Sequence, residues 1–150
     1  MARVDNRDVL FIYGTLLDED VRDAVLGHAM PQQNITPAIA PDYAIYAVAG
    51  ASYPCLLPAA GEQAEGAVVS GLTEADFHRL DQFEGENYKR VPVMVFLGGD
   101  AVQQVMAQYY QPNQSLKTNG RWSLSDWKIT EKQNFLTRDF NLSGVRKPDA

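Results

Sequence analysis

The sequence predicts an α+β fold with a closed or strongly curved sheet, and three observations carry that expectation. A run buried enough for a central strand opens the chain, at Val9-Leu10-Phe11-Ile12-Tyr13. Strand-prone segments follow between Pro37 and Leu72 and between Val91 and Tyr110, and helix-like segments at Asp18–Gly27, Thr73–Glu84 and Ser123–Arg138 stand apart from them. No internal repeat, low-complexity stretch or linker divides the 150 residues, which predicts one domain over 1–150 with a frayed tail from about 141.

Five consecutive apolar or aromatic residues at 9–13 suit a strand covered on both faces. Gly14-Thr15 breaks the run. Asp18-Glu19-Asp20 places acids in the first turn of a short helix with Val21, Ala24 and Val25 on one face, and Gly27 ends it. Ile39, Tyr43, Ile45, Tyr46 and Val48 are strand-prone, but the prolines from Pro37 to Pro58 and Gly50 predict several short strands joined by tight turns. Glu65 to Leu72 reads as a further strand.

Thr73 followed by Asp76 resembles a capping box, Phe77, Leu80 and Phe83 recur every third residue, and Gly85 is a natural stop. Val91, Val93, Val95 and Leu97 alternate as a half-buried strand does; Gly98-Gly99-Asp100 turns the chain, and Val102 to Tyr110 returns as the hairpin partner. From Ser123 or Ser125 to about Arg138 the chain reads as one helix with Leu124, Trp127 and Phe135 packing inward. Packing is also the default for Trp122.

Composition narrows the function. The formal charge of −6 gives no basic face for nucleic acid, and no apolar run approaches the roughly 20 residues of a membrane span. The N-terminal MARVDNRDV lacks the pattern of a secretory signal, and the single cysteine, Cys55, can form no internal disulfide, so a cytoplasmic protein is expected. Cys55 lacks a recognisable histidine partner and reads as a packing residue. His28 and His78 make a poor metal site, and the Gly14 turn lacks the lysine and longer spacing of a phosphate-binding loop.

Chemistry concentrates at Glu84. It lies seven positions beyond Phe77, hence about 20° from it around the helix axis, which sets a carboxylate on the core-facing stripe at the negative end of the helix dipole. Burial and the dipole both disfavour the charged form and raise the pKa toward the range that acid–base catalysis needs. The bland alternative is that Glu84 turns outward at the helix end or pairs with Lys89 or Arg90. Glu86, beyond the stop glycine, is expected to face solvent.

Tyr13-Gly14-Thr15-Leu16 directly after a buried strand, with Leu80-Asp81-Gln82-Phe83-Glu84-Gly85 later and Tyr88 and Arg90 close behind, resembles the gamma-glutamylcyclotransferase-like (AIG2-like) family. The resemblance covers residues 10–110 and includes Tyr53-Pro54-Cys55-Leu56-Leu57-Pro58. It implies a small mixed β-barrel with flanking helices, a pocket at one barrel mouth, a small-molecule γ-glutamyl substrate, and no metal or organic cofactor.

The resemblance further implies a transferase or lyase reaction in which the substrate's own α-amine attacks its γ-carbonyl, giving 5-oxoproline and a free amine. Glu84 matches the family's catalytic glutamate, acting as general acid and base. Gly14, Thr15 and Leu16 would offer backbone N–H groups to a carboxylate or oxyanion, and Tyr13 and Tyr88 match substrate-binding positions. Arg90 reads as a structural partner of Glu84 or Asp81. The loops around Asn34–Pro37 and Gly50–Pro58 are the expected determinants of the leaving group. The reading from another class is a non-catalytic binding or regulatory module on the same fold. Oligomeric state is left open.

Overall fold

The computed structural model describes residues 9–97, 103–113, 115–142 and 144. Its strands are β1 (Leu10–Ile12), β2 (Ile35–Val48), β3 (Pro54–Val69), β4 (Tyr88–Leu97), β5 (Gln103–Pro112) and β6 (Thr118–Arg121). Hydrogen bonding runs β3-β1-β5-β4-β2, and the β2–β3 pairing joins the two ends. The result is a mixed five-stranded β-barrel: β1 and β5 are parallel, the other barrel pairs antiparallel, and β6 hangs on β2 outside the closure.

The first strand is buried throughout, as its composition predicts. Val9 and Phe11 point one way, into a cluster drawn only from the barrel strands, with Ala40, Leu56, Val68, Val95, Ala107 and Tyr109; this fills the barrel. Leu10 and Ile12 point the other way, into a second cluster shared with the helices, including Val21, Leu26, Phe77, Leu80, Phe83, Trp127 and Phe135. A three-residue strand thus stitches two cores together by period-two alternation.

Helix α1 (Glu19–Leu26) starts where Asp18 accepts from the Val21 N–H at 3.2 Å and ends at Gly27 with φ 79°. Helix α2 (Glu74–Glu84) carries a reciprocal capping box, the Asp76 N–H donating to Thr73 Oγ1 and the Thr73 N–H to the Asp76 carboxylate, and stops at Gly85 with φ 77°. Both boundaries follow the sequence signals. The β4–β5 hairpin also forms as expected, with Tyr88 opposite Pro112 and Leu97 opposite Gln103. Its Gly98-Gly99-Asp100 turn and Val102 lie outside the described residues.

Two expectations need correcting. Between Pro37 and Pro58 there are not several short strands but most of a 14-residue β2 and the start of a 16-residue β3. Proline is tolerated where its missing N–H would face away from the partner or where the ladder is interrupted. Here Pro41 and Pro58 flank a register shift, with Asp42 in the left-handed region at φ 64° and its carboxylate accepting from the Gly61 N–H at 2.9 Å. The irregularity absorbs the prolines instead of ending the strands.

The C-terminal helix is also not continuous. It divides into α3 (Leu124–Thr130), α4 (Lys132–Asn134) and a π turn at Phe135–Asp139, with Glu131 off helical geometry at φ −123°. An unbroken helix would spread positions 127, 135 and 139 over about 120° of its circumference. The break lets Trp127, Phe135 and Asp139 all be buried. Most of the expected frayed tail lies outside the described residues.

Candidate active site

Beside β1, at the end of α2, lies a cavity of about 40 Å³ lined by residues from four parts of the chain. The turn after β1 contributes Tyr13, Gly14, Thr15 and Leu16; the loop entering β3 contributes Tyr53 and Pro54; α2 contributes Phe83 and Glu84; β4 and β5 contribute Tyr88 and Tyr110. All six residues singled out from the sequence therefore face one space.

Residues 15–17 form a single 3-10 turn closed by the Leu17 N–H on the Gly14 carbonyl at 2.9 Å and the Asp18 N–H on the Thr15 carbonyl at 3.0 Å. The leading N–H groups of such a turn have no acceptor within it. Gly14 is required by crowding: a Cβ there would stand 2.7 Å from Pro54 Cγ. The close approach that the glycine permits is thus to the opposite wall of the pocket.

Glu84 is half-buried, and among the described residues no donor bonds its carboxylate. Arg90, the partner considered from sequence, instead donates to Asp81 from Nε at 2.8 Å and from Nη2 at 3.2 Å, and stacks on Phe77 at 4.5 Å. Burial, and secondly the nearby Asp81 carboxylate, push the Glu84 carboxyl up to about 8. The helix phase anticipated the burial; Asp81, one turn earlier, was not anticipated. Glu86 is exposed, as expected.

The tyrosines hold their protons firmly. Burial raises Tyr13 well above an ordinary phenol, with Glu84 the next contributor, and burial raises Tyr88 likewise, with Tyr13 and Glu84 behind it. Both are hydroxyl donors at any physiological pH. The Tyr13 hydroxyl donates to the Tyr110 carbonyl at 3.2 Å, which fixes its ring across the barrel mouth.

Tyr53, Pro54, Phe83 and Tyr110 were not singled out as site residues from the sequence. Tyr110 donates to Asp81 Oδ1 at 2.7 Å and so ties β5 to α2 beside Glu84. Its signal was present: adjacent Tyr109 and Tyr110 on a strand must face opposite sides, one into the barrel and one toward α2. Of the loops expected to shape the pocket, 50–58 contributes Tyr53 and Pro54, while 34–37 is absent from the lining. Asn34 instead donates to the Ser70 carbonyl at 2.9 Å.

Cys55 is fully buried and burial pushes its thiol up to about 11, which fits packing. His28 meets Asp76 through Nε2 at 2.7 Å, and His78 is exposed. No helix among the described residues is long and apolar enough to cross a membrane.

Comparison with known proteins agrees with this architecture. AIG2-like protein D of Arabidopsis thaliana is 29% identical over 135 residues, covering 87% of each chain. A solution structure of an Arabidopsis thaliana protein superposes with a TM-score of 0.66 at 26% identity, covering 87% of this chain and 86% of that one. A structure described as gamma-glutamyl cyclotransferase superposes with a TM-score of 0.63 at 12% identity, over 95% of this chain and 90% of the other, and shares the fold. The model of the gamma-glutamyl cyclotransferase, AIG2-like family matches residues 10–129, and the chain belongs to that family.

Proposed function

We propose that this protein cleaves a γ-glutamyl amide by cyclisation, with Glu84 moving the protons. The observation that supports the reading best is an unpaired carboxyl with a pKa near 8 sharing a small cavity with a turn whose leading N–H groups lack internal acceptors.

The substrate's α-amine attacks its own γ-carbonyl carbon, forming the ring C–N bond. The carbonyl electron pair moves to oxygen and returns as the bond to the leaving amine breaks. Ionised Glu84 takes the proton shed by the attacking nitrogen; protonated Glu84 gives it to the departing nitrogen, so the carboxyl ends as it began. The Gly14–Leu16 turn meets the substrate carboxylate or the transient oxyanion, and the Tyr13 and Tyr88 hydroxyls orient the amide. The confined cavity holds the glutamyl chain folded, near its closing geometry.

The pH dependence follows. In the free protein Glu84 is mostly protonated at pH 7, so kcat/KM rises with pH through a limb near 8. A bound substrate ammonium favours the carboxylate and moves the corresponding limb of kcat lower. The test is 5-oxoproline release from a panel of γ-glutamyl dipeptides and γ-glutamylamines. Glu84→Gln should lower turnover by about 100-fold or more. Undiminished turnover in that variant removes Glu84 from the mechanism; no turnover of any amide, with tight binding of a glutamyl compound, replaces the enzyme with a binding module.

A further inference from the structure

The cavity beside Glu84 is small. At about 40 Å³, against the roughly 10–15 Å³ that a single water needs, it has room for a short chain. A more open groove of about 460 Å³ shares Tyr13 with it. Tyr13 lines both spaces, and the turn after β1 divides them: Gly14, Thr15 and Leu16 face the cavity and Leu17 faces the groove.

The groove presents apolar and polar surface in comparable amounts, the apolar part coming from aliphatic and aromatic side chains. Leu17, Ala44, Ile45, Trp122 and Leu124 line it, with Gln63 and Glu65 exposed at its margin. Its cation, Arg121, is already engaged by the Glu62 carboxylate and lies over the Tyr46 ring at 5.1 Å. Nothing in that lining resembles the unpaired cationic site that would favour a carboxylate-bearing leaving group.

Resting on the cyclisation reading above, we infer that this groove receives the leaving amine and selects those with a bulky apolar body, alkyl or aromatic. The γ-glutamyl part fills the cavity, the scissile amide passes Tyr13, and the amine's carbon skeleton lies against Trp122, Ile45 and Leu124. Tyr13 is the gate residue between the two subsites, so its ring contacts both halves of the substrate. Each additional apolar carbon buried there contributes to discrimination, and a phenyl group against a hydrogen exceeds the margin of a single methylene.

The experiment compares γ-glutamyl benzylamide with γ-glutamyl methylamide by kcat/KM for 5-oxoproline release. The wild-type protein should prefer the benzylamide by about tenfold or more. Leu124→Lys, half-buried at the start of α3, should reduce that ratio about tenfold, whereas Ile129→Ser, 83% exposed and outside the groove, should keep the wild-type ratio. Turnover of both amides without preference, or a preference that Leu124→Lys leaves intact, overturns the groove assignment and leaves the cyclisation reading standing. Turnover of neither overturns both. Circular dichroism of each variant, matching wild type, is required before its ratio is scored.

Discussion

At Glu84 the proposed proton transfer and the stability of the fold pull in opposite directions. Unfolded, it titrates near its ordinary value; folded, burial raises it to about 8. The folded state therefore binds more protons between those values, and the stability this group allows is full below pH 4.5 and declines as pH rises through 8. Glu84→Gln removes the ionisable group and should stabilise the protein at pH 8 by about 4 kcal/mol, with little change at pH 4, as measured by urea unfolding at the two pH values. A variant that loses turnover while gaining stability would identify a residue kept at a cost to the fold. The burial of Glu84 was legible because helical phase depends only on spacing. Asp81 could have been read the same way, since it lies three positions earlier on the same helix; Tyr53 and Tyr110 could not, because their proximity depends on how β3, β5 and α2 meet, which no local period encodes.

At the scale of elements, α2 carries most of what positions the site. Its capping box fixes the helix start, Gly85 its end, and the Asp81–Arg90 and Asp81–Tyr110 contacts its rotation against the β4–β5 hairpin. Thr73→Ala should cost about 1 kcal/mol in chemical denaturation through loss of the cap. The same cap makes a pH-dependent contact. His28, just past the end of α1, binds Asp76; this hydrogen bond, aided by one to the Ala29 carbonyl, raises the histidine above 6.5. Asp76 moves down, because bonds from the Thr73 N–H and His28 outweigh the upward effect of its burial. Stabilisation from the histidine is full below pH 6.5 and fades as pH rises through its higher folded value. His28→Gln should therefore lower Tm more at pH 5.5 than at pH 8.5; an equal loss at both would show that only packing was removed. Both helix ends could be read from Thr73, Asp76 and Gly85, whereas the His28 partnership joins residues 48 positions apart and could not.

For the whole molecule, barrel closure depends on β2 and β3 being long. Each spans enough residues to pair with two neighbours, and β3 meets both β1 and β2. Proline counts concealed that length, since a register shift can preserve a strand that local propensity would end. Gly66 is where closure is tightest: a Cβ there would lie 2.3 Å from the Ile12 carbonyl oxygen and 2.9 Å from the Phe11 ring. Gly66→Ala must force β1 and β3 apart and should destabilise by about 3 kcal/mol or more in denaturant titration, although alanine is otherwise the better strand residue. The mixed barrel topology was reachable from the sequence through family resemblance; the local patterns by themselves predicted a closed or strongly curved sheet.

The buried Asp139 accepts hydrogen bonds from both the Ser52 N–H at 2.9 Å and the Ser52 hydroxyl, and Trp127 donates to the Ser52 carbonyl at 2.6 Å. Ser52 immediately precedes Tyr53 and Pro54, so one wall of the cavity is held by residues far later in the chain. The Tyr53–Pro54 end of that wall is also held within the barrel, by the Val48 N–H on the Tyr53 carbonyl at 3.2 Å and by the pairing of Pro54 with Ala47. Shortening the chain before Trp127 would therefore leave the strand pairing of the pocket wall in place and remove only the outer brace on Ser52.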